Sequence, residues 1–174
     1  QPCSLNRLSN LIKATGTPCS PSTVMEYVRY LQESCLLISI DNYVSKFVEK
    51  ETIKKHYFVD NGLLHLFINN PNTSLLENLC AITLYKKYAK GLYYYNRNIE
   101  VDFYVPDEGI AVQASYQMSD GETIEREVKA LVALHGLHPL KRAMIITYED
   151  EGEIVRDGLR IEIRPAWKWV LEGL

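Results

Sequence analysis

Apolar positions recur along this chain with two different periods, and the switches between them mark its elements. Leu5, Leu8, Leu11 and Ile12 stand at helical spacing and predict an amphipathic helix over residues 4–14, ended at Thr15-Gly16-Thr17-Pro18. Ser20 suits an N-cap with Pro21 at the first helical position, and Thr23-x-x-Glu26 offers a slightly later capping box. The helix that follows runs to about Ser34, with Val24, Tyr27, Val28 and Leu31 on one face and Arg29 and Gln32 on another. Residues 36–40 read as a strand. After a polar, Lys-rich stretch from Asn42 to Lys55, a second strand returns over residues 56–60.

The rest of the chain alternates strands and helices. A short apolar helix over residues 63–67 breaks at Asn69-Asn70-Pro71-Asn72. A longer helix over residues 75–89 is expected to be capped by Thr73 or Ser74, with Glu77 in its first turn, where the helix dipole favours a carboxylate. Strands are predicted over residues 92–95, 99–105 and 110–115, the last two joined by a hairpin at Pro106-Asp107-Glu108-Gly109. Val101, Phe103 and Val105 alternate with Glu100, Asp102 and Tyr104, the pattern of a half-buried strand. A helix from Asp120 to about His135, a buried strand over 143–148, short strands at 154–155 and 159–163, and a final helix from Pro165 complete the order. Helix, turn, capped helix and a two-stranded ribbon with a charged tip is the winged-helix plan, assigned to residues 1–60. Residues 61–174 then form an α/β sandwich around a mixed sheet.

Composition adds little to this. The chain is 47% hydrophobic and 24% charged, ordinary values for one domain or two small ones. Its net charge of −3 divides into +1 over residues 1–60 and −4 over the remainder, so no strong field for polyanions is advertised. Cys3, Cys19, Cys35 and Cys80 form no C-x-x-C pair, which points to buried free thiols in a reducing, cytoplasmic setting. No apolar run reaches the roughly 18 residues that a membrane span needs. The chain opens on Gln1-Pro2 and passes directly into helical sequence, the expected look of a piece of a longer protein.

Chemistry concentrates on the hairpin. Asp102 on one strand, followed on the next by Gln113-Ala114-Ser115, has the skeleton of a PD-(D/E)xK nuclease site with its last two slots changed. Metal-dependent phosphodiester cleavage needs carboxylates to hold a hard cation and a positive charge beside the scissile phosphate. Asp102 and Glu77 can serve as ligands; Gln113 brings a neutral oxygen, and Ser115 cannot replace a lysine. The solvated face of a polar strand is the competing explanation for Glu100 and Asp102, and it suits Glu100. Tyr93-Tyr94-Tyr95 has the aromatic content of a base-stacking surface, but strand propensity explains it more simply. In the winged-helix plan Arg29 and Gln32 stand on the recognition helix, and Lys46, Lys50, Lys54 and Lys55 on or near the wing. That plan serves DNA binding and protein docking alike, and this helix carries one cation beside Glu26 and Glu33.

Four segments together resemble one family: His56-Tyr-Phe-Val-Asp60-x-Gly62-Leu63, Leu75-Leu-Glu77-Asn78-Leu79-x-Ala81, Tyr95-x(4)-Glu100-Val-Asp102-Phe103 and Pro165-Ala-Trp-Lys-Trp. It is the prokaryotic family of AAA-type P-loop ATPases with a C-terminal domain of unknown function. The resemblance covers nearly the whole chain. It implies a winged helix followed by a restriction-endonuclease-like domain, behind an N-terminal ATPase for which no G-x-x-x-x-G-K-[ST] is present here. ATP and Mg²⁺ would belong to that ATPase, with no cofactor in this fragment. The family's nuclease pattern carries over to Glu77 and Asp102 and fails at Gln113 and Ser115, so metal at Glu77 and Asp102 is expected to be weak. The reading is a non-catalytic region that binds duplex DNA or a partner, its own ATPase domain included. A divalent-metal nuclease and a docking or homo-oligomerising scaffold stand as alternatives.

Overall fold

A computed structural model gives the fold and describes residues 2–46, 49, 53–69, 71–118 and 121–173. Among these, nine strands form one mixed sheet. In chain order the elements are β1 (Cys3–Ser4), α1 (Leu5–Ala14), α2 (Pro21–Glu33), β2 (Leu37–Asn42), β3 (Ile53–Phe58), α3 (Asn61–His65), α4 (Asn72–Tyr88), β4 (Tyr93–Asn96), β5 (Glu100–Val105), β6 (Ile110–Ala114), α5 (Gly121–Leu137), β7 (Arg142–Thr147), β8 (Gly152–Arg156), β9 (Leu159–Pro165) and α6 (Ala166–Glu172). The spatial order is β1-β3-β2-β4-β5-β6-β7-β9-β8. The pairs β2–β4, β6–β7 and β7–β9 run parallel and the others antiparallel. The mixed α/β class expected from the alternation of periods is the one observed.

Two apolar clusters fill the two faces of the sheet. On one, Leu76, Cys80, Ala81 and Leu84 of α4 and Trp169 of α6 meet Phe103, Val105, Met144 and Ile146. On the other, Val128, Leu131 and Leu134 of α5 meet Val101, Tyr104, Ala143, Ile145 and Ile161. Strands buried on both faces read as continuous apolar runs, which is why residues 143–146 carry no alternation. Ile38, Ile40 and Tyr57 belong to the α4-side cluster. The ribbon of residues 1–60 therefore shares a core with the rest of the chain, and β2 joins the sheet through Asp41↔Tyr93 and Asn42↔Tyr94.

The local signals hold in most places. Ser20 caps α2 by accepting the Thr23 N–H at 3.1 Å, with Pro21 in the first turn. Gly16, past the end of α1, adopts φ +85°, the left-handed region that suits glycine. Three expectations change. First, α4 begins at Asn72 without a side-chain cap, which leaves Glu77 beyond its first turn and removes the helix-dipole explanation for that carboxylate. Second, β3 begins at Ile53, so Lys54 and Lys55 are strand residues rather than part of a polar loop. Third, α2 buries Val24 alone; Tyr27 and Leu31, expected on its covered face, are exposed along with Met25 and Tyr30. Cys19 and Cys80 are buried free thiols, whereas Cys35 is exposed. None of the described helices is long and apolar enough to cross a membrane.

Candidate functional site

Strand β5 is not half-buried as its alternation predicts. Its register against β4 shifts between Tyr93↔Tyr104 and Tyr95↔Val101, so Asp102 and Phe103 together oppose the single residue Tyr94. This is a β-bulge, and it re-aims side chains. Val101 and Tyr104 fall in the α5-side cluster, Phe103 and Val105 in the α4-side cluster, and the strict alternation is lost at Asp102. Asp102 is thereby brought beside Glu77 of α4 and Lys55 of β3.

Lys55 is the centre of the site. Its side chain is only 3% exposed, and Nζ lies 2.8 Å from Asp102 Oδ1, 3.3 Å from Glu77 Oε1 and 3.5 Å from Glu100 Oε1. It shares an inward strand face with Tyr57, two residues on, whose hydroxyl donates to Glu77 Oε1 at 2.7 Å. Burial works against the ammonium, but the charges of Asp102, Glu77 and Glu100 outweigh it and hold the pKa of Lys55 well above the ordinary lysine value. Burial likewise opposes ionisation of Glu77, yet Lys55 and the Tyr57 hydroxyl prevail and its pKa is lowered. For Asp102, burial and the Glu77 charge raise the pKa against the pull of Lys55. Both of its oxygens nevertheless accept, Oδ1 from Lys55 and Oδ2 from the Ala114 N–H at 3.1 Å, the arrangement of a carboxylate.

The hairpin sets Gln113 beside Asp102 on the neighbouring strand, but its side chain is spent on the backbone. Oε1 accepts the Asp102 N–H at 2.8 Å, and Nε2 donates to the Glu100 carbonyl at 3.1 Å. Ser115 is buried, and its hydroxyl donates to the Gln117 carbonyl at 3.3 Å, closing a local turn. Glu77, Asp102 and Gln113 line a cleft of about 650 Å³ whose far wall is α5, with Arg126, Glu127 and Lys129. Glu127 was not legible as a site residue. It is buried, accepts from the Arg126 guanidinium at 2.6 Å, and has its pKa raised, chiefly by burial.

A divalent ion fits this donor set poorly. Glu77 Oε1, Asp102 Oδ1 and Oδ2, and Gln113 Oε1 all accept bonds from the protein itself. Among the described residues no group of three or more His, Cys, Asp or Glu side chains is placed to hold a metal.

The expected nucleic-acid residues divide. Arg29, Gln32 and Lys54 line one cleft of about 360 Å³ between α2 and the ribbon, together with Glu26 and His56. Their charge is largely answered at home: Arg29 pairs with Glu33 at 3.8 Å and Lys54 with Asp41 at 3.0 Å. Lys46 is exposed in the turn after β2, and Lys50 lies outside the described residues. Lys55, grouped with the wing lysines on sequence, points inward and is inaccessible to a phosphate.

The chain is similar to an uncharacterized protein of Methanocaldococcus jannaschii. The two are 31% identical over 183 residues, a match covering 97% of this chain and 40% of that protein. The chain thus spans about two fifths of the relative's length. No protein-family model matches it, and no solved structure does.

Proposed function

We propose that residues 1–174 form a non-catalytic binding region of a longer P-loop ATPase, built from a winged helix and a nuclease-like α/β unit whose site no longer cleaves. The observation that carries this reading is the exposed apolar face of α2. Tyr27, Tyr30 and Leu31 are 57%, 48% and 40% exposed on one side of the helix that a winged helix presents to its target, whereas Met25 faces the cleft with Arg29 and Gln32. Exposed aromatic and aliphatic side chains grouped on one helix face favour a protein partner. The ATPase portion of the same polypeptide is the partner we favour, and the greater length of the Methanocaldococcus relative agrees with it.

Two further observations support the reading. Gln113 and Ser115 have their polar atoms engaged with the backbone, which supports loss of cleavage. The cleft beside them sets Glu77, Glu100, Asp102 and Glu127 against Arg126 and Lys129, which is no attractive field for a phosphodiester.

The test is binding in trans between this chain and the ATPase portion taken from the full reading frame, for wild type and for Tyr27→Ser/Leu31→Ser. The expected result is a loss of about tenfold or more in affinity for the variant, roughly 1.4 kcal/mol. In parallel, fluorescence anisotropy on duplex DNA at two salt concentrations compares wild type with Lys46→Ala/Lys54→Ala. Salt-dependent DNA binding that the lysine variant loses, with no binding of the ATPase portion, would make this a DNA reader instead. Metal-dependent plasmid nicking that disappears in Asp102→Asn would restore the enzyme.

A further inference from the structure

The geometry points to a built-in counter-ion: we infer that the Lys55 ammonium stands where a divalent cation would sit between Glu77 and Asp102, so that the native site excludes Mg²⁺ and Mn²⁺. The inference rests on reading Glu77, Asp102 and Gln113 as a nuclease-like constellation. It goes further by naming what replaced the metal.

Carboxylate oxygens from two different elements, α4 and β5, converge on one point. The cation found at that point is covalently part of the chain, at 2.8 and 3.3 Å. Lys55 reaches it from a third element, β3, through strand alternation with Tyr57. Tyr57 completes the enclosure by donating to the Glu77 oxygen that Lys55 also touches. Mg²⁺ demands near-ideal octahedral geometry, with oxygens at roughly 2.0–2.1 Å. Taking Glu77 Oε1 and Asp102 Oδ1 as ligands would place that charge against a buried ammonium. The tethered cation also ties together the ribbon, helix α4 and strand β5, which an exchangeable ion would do only at sufficient concentration.

Removing the ammonium should therefore uncover a cation site. Mn²⁺ is titrated into wild type, Lys55→Met and Lys55→Met/Asp102→Asn, with free Mn²⁺ followed by electron paramagnetic resonance. Thermal melts of each protein are recorded in Mg²⁺ and in EDTA. The expected result is no saturable Mn²⁺ binding and an unchanged Tm for wild type, binding at least about tenfold tighter in Lys55→Met, and its loss again in the double variant. Should Lys55→Met not fold, Lys55→Gln, which removes the charge but can still donate to both retained carboxylates, is titrated in its place, and the wild-type melts stand alone. Wild-type Mn²⁺ binding as tight as that of Lys55→Met would overturn the inference. So would an absence of binding in every variant, or a wild-type Tm that rises with Mg²⁺ and ceases to do so in Asp102→Asn. Metal binding by wild type without DNA cleavage defeats this inference alone; metal binding with cleavage defeats the non-catalytic reading as well.

Discussion

Replacing Lys55 by Met keeps the length of the side chain and removes its charge, leaving Glu77 and Asp102, 24% and 18% exposed, facing each other without a counter-ion. At an effective dielectric of about 20, contacts at 2.8 and 3.3 Å are each on the order of 5–6 kcal/mol. Desolvating the ammonium offsets several kcal/mol of this, and the net cost of removing one partner from a buried pair is about 3–5 kcal/mol. Glu100 adds little, because its side chain is half exposed and screened by water. Urea unfolding at neutral pH, with m roughly 2–3 kcal/mol/M for a chain of this size, should show the midpoint of Lys55→Met lowered by about 1–2 M. The cost should shrink as pH falls toward about 4, because carboxylates buried without a counter-ion take up protons above their ordinary pKa. Lys55→Met/Glu77→Gln/Asp102→Asn should recover half or more of the loss, since a neutral cluster carries no unpaired charge. A Lys55→Met variant within about 1 kcal/mol of wild type would refute the reasoning. A triple variant no better than the single one would assign the loss to packing of the lysine stem instead.

The alkaline limb follows from the same site. Lys55 has a raised pKa in the folded state, so its contribution is complete below the unfolded value of 10.5 and is lost as pH rises through the folded value. Tyr57, raised by burial, and Tyr94, pushed up by burial to about 12, act in the same direction from about pH 10. Stability measured against pH should begin to fall at about pH 9, where the buried Cys80 thiol, raised by burial, adds its share, and fall further above about pH 10, less steeply in Lys55→Met; a curve that climbs there would contradict the assignment. Asn78→Ala removes three hydrogen bonds, from Phe58 N–H at 2.8 Å, to Phe58 O at 2.9 Å and to Asn61 Oδ1 at 2.8 Å, that stitch α4 to the end of β3. It should cost about 2–4 kcal/mol, a Tm drop of roughly 5–15 °C, and a drop under about 2 °C would show that water replaces those bonds.

The chain's local grammar was legible because it is written in neighbouring residues. Ser20 and Pro21 announce α2, the alternation of residues 99–105 and the turn at Gly109 announce a hairpin, and the apolar run at 143–146 announces a strand covered on both faces. The hairpin alone puts Asp102 beside Gln113, so that part of the site follows from chain order. What only the tertiary structure decided are the contacts between residues far apart in sequence. Nothing local tells Lys55 from Lys54 or Lys46: one is buried against Asp102, 47 positions later, and the others are not. The parallel pairing of β2 with β4, which merges the ribbon with the main sheet, likewise leaves no mark in either strand. The bulge that turns Asp102 toward Glu77 depends on the register against β4, and Gln113 spends its side chain on the backbone because that bulge leaves the Asp102 N–H to be satisfied. Period and turn chemistry fix where elements begin and end. The partner of a buried charge is fixed by whichever opposite charge the finished fold places within reach, since a lone buried ion is far too costly to persist.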